Sequence, residues 1–219
     1  MRYVFLETNW VVAYAAPAYR QVPAALGLLE RASKEELKLL LPSICISEAR
    51  YPIMTKYQVR NEADIVRRFL LWGKEQGIVA AEEEQRTRTA LDRMESAVRT
   101  DLNKLDDTLK ALKEKPGLEI FDITTDMLER CSALSFAKLA LNPFDQTILA
   151  SILVRAEELV SDGATDLAFC ELDSDLQPWD KRNNKKDELA DLYDRARVWV
   201  YGDFLLETPA IPADWPPAD

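Results

Sequence analysis

Four carboxylates occupy positions where their chemistry could be used. Glu7 follows the short apolar run Tyr3-Val4-Phe5-Leu6, and Asp173 follows the apolar run from Leu167 to Leu172. Glu48 and Asp145 fall near the starts of helical segments, beside Ser47 and just after Pro143. The chain has 38 acidic residues, so any one of these taken singly reads as a solvated surface charge. Position lifts the four, because acids directly behind buried strands or at helix starts are not where surface charges usually fall. Carboxylate and water oxygens suit Mg2+ or Mn2+, and several acids crowded into one crevice repel one another strongly unless a cation neutralises them. An ion held in this way can activate water, polarise a phosphoryl group and stabilise a leaving oxygen, with no covalent intermediate.

The rest of the inventory narrows the chemistry. Histidine is absent, which removes a serine–histidine triad, a histidine-bearing zinc site and a histidine general base. Cys45, Cys131 and Cys170 are odd in number, scattered and without C-x-x-C spacing, so they read as small core hydrophobes rather than a disulfide framework or zinc site. The formal net charge of -10 argues against broad adhesion to nucleic acid, so any phosphate-bearing substrate needs local basic groups. No apolar run is long enough to span a bilayer, and the opening residues lack the basic start and cleavage site of a signal peptide; the expected location is cytoplasmic, with no membrane association.

Those acids need elements to carry them. Apolar runs at 3–6, 37–41, 118–123, 167–172 and 198–201 read as strands, and the runs that end in carboxylates are apolar enough to be covered on both faces. Between them the spacing predicts helices over 10–16, closed by Pro17, and over 23–33, with proline early. Thr8 or Asn9 is expected to cap the first helix, and Ser43 or Ser47 a helix running through Glu48 towards Tyr57. Further helices are predicted from Thr125 to Leu134, Phe144 to Leu159 and Asp187 to Ala196. The charged stretch 61–115 carries apolar residues at helical spacing and is read as an inserted antiparallel helix pair broken near Gly73 to Gly77, either an arm for a partner or helices packed on their own domain. The whole is expected to be one α/β domain over 1–206, with a mostly parallel central sheet covered by helices on both faces, and a proline-rich, extended tail over 207–219. In such sheets ligands collect beyond the carboxyl ends of the strands.

The string VFLETNWVV resembles the opening of the PIN-domain family, where a hydrophobic strand ends in Asp-Thr-Asn. SICISEARYPI is similar to that family's second motif, NPFDQTILASIL to its third and AFCELDSDL to its fourth; all appear in family order, with VWVYG as the final strand. The resemblance implies a PIN-like fold and a metal-dependent ribonuclease, like bacterial toxins of toxin–antitoxin pairs or RNA-processing factors. It also implies RNA as substrate, frequent homodimerisation and, for a toxin, an antitoxin protein. It would make Glu7, Glu48, Asp145 and Asp173 the catalytic and metal-holding acids, with Asp175 a neighbouring ligand. Asn9, with Thr8 beside it, would orient the first carboxylate, although a helix cap explains Asn9 equally well.

Two departures matter. Glu7 stands where the family has aspartate, and its extra methylene moves the carboxylate by about 1.5 Å, which an octahedral Mg2+ site tolerates poorly. A catalytically weakened PIN-like module that binds RNA or protein is therefore the alternative. For the fourth acid, Asp162 and Asp166 in VSDGATDLAF offer a rival alignment; Asp173 is preferred because it follows the apolar strand. Phosphate contacts are expected from the basic loop Lys181, Arg182, Lys185 and Lys186, or from Arg67, Arg68, Arg86, Arg88, Arg93 and Arg99 on the insertion, though a solvated surface explains both sets.

Overall fold

In the computed structural model the described residues are 1–137, 139, 141–180, 182 and 184–206, apart from the side chains of Arg60 and Asn61. Lys181 and the tail 207–219 lie outside them.

Strands β1 (Arg2–Phe5), β2 (Leu37–Pro42), β3 (Leu118–Phe121), β4 (Leu167–Cys170) and β5 (Val198–Tyr201) form one sheet in the order β3-β2-β1-β4-β5, each pair parallel. The reason lies in the strand composition. Val4, Phe5, Leu39, Leu40, Leu41 and Phe169 are wholly buried without alternation, which only a sheet covered on both faces permits.

Helices α1 (Thr8–Ala15) and α2 (Pro23–Ser33) join β1 to β2, and α3 (Ser43–Lys56), α4 (Arg60–Glu75), α5 (Ala81–Asn103) and α6 (Leu105–Ala111) join β2 to β3. The chain then passes through α7 (Thr125–Leu134) and α8 (Pro143–Ser161) to β4, and through α9 (Asp187–Arg195) to β5. Right-handed crossovers put the first group on one face and the second on the other. The side chains of β3 agree: Ile120 shares a surface with Ile46 of α3 and Leu109 of α6, whereas Glu119 binds Arg155 of α8 at 2.8 Å. The fold is thus α/β and consistent with a PIN-like arrangement. Because the order runs outward from β1 to β3 and then jumps to β4, the switch point falls between β1 and β4, where ligands of open parallel sheets bind.

Several helix starts differ from the sequence-based expectation. Neither Thr8 nor Asn9 caps α1; Glu7 does, its carboxylate accepting the Asn9 N–H at 2.7 Å. Neither serine caps α3, which begins at Ser43 directly behind Pro42, while the Ser47 hydroxyl donates back to the Ile44 carbonyl at 2.8 Å. The stretch 61–115 divides. Helices α4 and α5 do form an antiparallel pair, shown by Arg67 binding Asp92 and Glu95, each at 2.7 Å, and Lys74 approaching Glu84. The leucines beyond it, Leu105, Leu109 and Leu112, instead belong to the core. The three cysteines are free, with Cys45 and Cys170 buried. Among the described residues no helix is long and apolar enough to cross a membrane.

One turn depends on glycine. Gly117, at φ +77°, leads into β3 so closely past α2 that a Cβ would stand 2.3 Å from the Ala32 carbonyl oxygen. Gly117→Ala is expected to cost about 1–3 kcal/mol from backbone strain alone, with the clash in addition. A urea midpoint indistinguishable from wild type would show that this turn yields freely.

Candidate functional site

The chain leaves β1 through Leu6, wholly buried, and reaches Glu7, only 4% exposed. As the cap of α1, Glu7 is in extended backbone, and its side chain curls back over the helix start. Oε2 is thereby satisfied by Asn9, but Oε1 is buried with no hydrogen-bond partner. The next residue, Thr8, donates its hydroxyl to Glu48 Oε2. Packing of α1 against α3 makes this possible, for Glu48 stands in the second turn of α3. Four residues on, Pro52 has no N–H to give the Glu48 carbonyl, so the helix backbone is released there.

On the other side of the switch point, Asn142 caps α8 by accepting the N–H groups of Phe144 and Asp145 at 2.9 and 3.0 Å. Its amide Nδ2 donates to Asp145 Oδ2 at 2.6 Å, which fixes that carboxylate at the helix start. Beyond β4, the Glu171 N–H still pairs with the Tyr201 carbonyl, and Glu171 is fully buried. Glu171 Oε1 accepts the Asp173 N–H, whereas Oε2 is a second buried oxygen with no partner. Asp173 Oδ1 in turn accepts the Asp175 N–H at 3.1 Å. Gln177, Tyr193 and Lys186 brace this loop by donating to the carbonyls of Glu171, Leu176, Ser174 and Asp175.

The fields of these groups overlap. Burial pushes the Glu7 carboxyl up to about 8, and the charges of Glu48 and Asp173 add to it against the Asn9 N–H, which lowers it. Asp145 is raised to about 6, first by burial and then by Asp173, Glu48 and Asp175. Glu171 is lifted well above the usual carboxylate range by burial, then by Glu7. Among the described residues no lysine or arginine forms an ion pair with Glu7, Glu48, Asp145, Glu171 or Asp173.

Sequence reading missed Glu171. The available signal was an ionisable residue embedded in an apolar run, Phe169-Cys170-Glu171-Leu172, but Asp173 drew attention because it ends that run. The rival acids separate cleanly. Asp162 caps the far end of α8, about 25 Å along the helix from Asp145, and Asp166 binds Arg2 at 2.9 Å where β1 and β4 begin. Of the basic loop, Arg182, Lys185 and Lys186 are among the described residues. Lys186 Nζ is donated to loop carbonyls, Lys185 forms a short antiparallel bridge with Trp179, and the Arg182 N–H binds Asp180 at 2.7 Å. On the insertion, Arg67, Arg86, Arg88 and Arg99 all pair with acids of α4 or α5.

No family model matches this chain, and no curated protein matches it.

The fit of the site to a cation rests on its own atoms. Among the described residues no three acids close into a ready-made ligand group. The two orphaned oxygens, Glu7 Oε1 and Glu171 Oε2, are hard donors buried beside further carboxylates. Leaving them unpaired costs free energy that either a proton or a divalent cation offsets. A divalent ion fits the donor chemistry.

Proposed function

We propose that this chain is a metal-dependent endoribonuclease of PIN type. One observation carries the reading: two buried carboxylates with unpartnered oxygens share an electrostatic neighbourhood with Glu48, Asp145 and Asp173 at the switch point of a parallel sheet, and no lysine or arginine among the described residues forms an ion pair with them. Glu7, Glu48, Asp145, Glu171 and Asp173 would hold Mg2+ or Mn2+ directly or through water, with Asp175 at the edge. When bound, the ion supplies Lewis acidity and charge for phosphodiester hydrolysis.

The chain's own groups have separate tasks. The Asn9 N–H and Thr8 hydroxyl orient Glu7 and Glu48, and Asn142 orients Asp145. Glu48 and Asp145 are half-buried and Asp173 is exposed, so these three carboxylates border solvent and are placed to take a proton from entering water. RNA as the substrate rests on the resemblance of the four motifs, as do a toxin role, an antitoxin partner and a homodimer. The exposed apolar face of α4, with Ile65, Phe69 and Trp72, is where a protein partner would sit, and together with Glu7 in place of aspartate it favours the second reading, a non-catalytic binding module.

Incubation of the protein with mixed RNA and DNA, with Mg2+, Mn2+ or a chelator, tests both. Internal cutting of RNA only with an ion is the expected result. Intact RNA together with measurable RNA binding selects the module; intact RNA with neither binding nor ion-dependent stabilisation removes both readings.

A further inference from the structure

A crevice of about 620 Å³ opens beside the acid cluster, with Asn9, Asp173, Ser174 and Gln177 on one side and Lys56 and Tyr57 on the other. Lys56 ends α3, is exposed, and carries its ammonium 5.7 Å from the Tyr57 ring centre. Val22, two residues beyond Arg20, lines the same crevice, and the Arg20 charge reaches the Tyr57 hydroxyl, while Tyr19 borders the neighbouring hollow with Ala18, Val59 and Ala63. Tyr19 is 52% exposed, and the Arg20 guanidinium sits over its ring at 5.2 Å. Among the described residues neither Lys56 nor Arg20 forms an ion pair with a carboxylate, in contrast to the insertion arginines paired above.

Two cations without a carboxylate partner among the described residues and an exposed aromatic ring, in a chain of net charge -10, match one kind of occupant. Single-stranded nucleic acid offers phosphates to the cations and a base face to the ring, and each base has a face to stack. Resting on the nuclease reading above, we propose that the single strand flanking the reacting phosphodiester runs along this crevice. Lys56 and Arg20 hold successive phosphates, and Tyr19 stacks on a base. These phosphate contacts come from the end of α3 and the turn before α2.

Fluorescence anisotropy with a labelled single-stranded RNA tests the track, using the full chain in an Asp145→Asn background so that RNA is not consumed. Lys56→Ala and Arg20→Ala are each expected to weaken binding about tenfold at low salt. Each should also reduce the slope of log affinity against log salt by about 0.7, the value for one phosphate on a single strand. Tyr19→Leu should weaken binding about tenfold with the slope unchanged, and Tyr19→Trp should restore it. Affinity and slope unchanged in both cation variants, in a background that binds RNA, would overturn the track and leave the nuclease reading standing. If wild type neither cuts nor binds RNA, the nuclease reading fails and takes the track with it.

Discussion

Asp145→Asn is expected to lose metal-dependent RNA cutting by at least about a hundredfold, while the metal-free protein melts higher than wild type. The two effects have one origin. Asp145 is raised to about 6 because burial and the charges of Asp173, Glu48 and Asp175 all disfavour its ionised form. An amide removes that repulsion, and its oxygen can still accept from Asn142 Nδ2. Discounted for the residue's partial exposure, the relief is about 1 kcal/mol, or roughly 2–4 °C in melting temperature for a chain of this size. A residue kept for packing would show the opposite pattern, with stability and activity falling together. Cutting that survives the substitution would falsify the assignment of Asp145 to the hydrolytic site.

The second large effect joins pH to the ion. Glu7, raised to about 8, and Asp145, raised to about 6, bind protons more tightly in the folded chain than in the unfolded one. Their contribution to stability is therefore fully present below about pH 4 and is lost as pH climbs through 6 and 8. A divalent ion reverses this penalty, because it favours the ionised carboxylates and must displace the same protons. The melting shift produced by Mg2+ or Mn2+ should thus grow with pH. At about a hundred times the dissociation constant it should reach about 2.7 kcal/mol near pH 8.5, or roughly 5–11 °C, and less than half of that near pH 5.5. Scanning fluorimetry at both pH values, with each ion and with chelator, reads the difference. Equal shifts at the two pH values would mean that the ion binds elsewhere, and no shift at either would remove the metal centre.

Much of this arrangement is visible in local residue order, and some of it is not. The apolar runs at 3–6 and 37–41 announce buried parallel strands because no face of them is polar. Asn142-Pro143 announces the start of α8 and sets Asp145 within the first turn, since both residues act through backbone geometry a few atoms away. Glu7 also lies where its strand implies, yet its capping role and its unpartnered Oε1 come from how the longer side chain folds back in a closed space. Glu171 was hidden among apolar residues, because order along the chain does not say which way a side chain turns after the last strand residue. The choice between Asp173 and Asp162 turned on the length of α8, which carries its two ends about 25 Å apart.

The basic groups are the clearest division. Arginines spaced with acids along α4 and α5 already read as an exposed charged helix, and the tertiary structure pairs most of them. That Lys56 lines one crevice with Asp173, while Lys186 turns to loop carbonyls, follows from how separated segments pack. Residue order determined the strands, most helix starts and the places of Glu7, Glu48, Asp145 and Asp173 along the chain's elements, because these obey short-range backbone and burial rules. Tertiary structure alone decided which charges share a low-dielectric space, since that depends on the hand of each crossover and the reach of each helix.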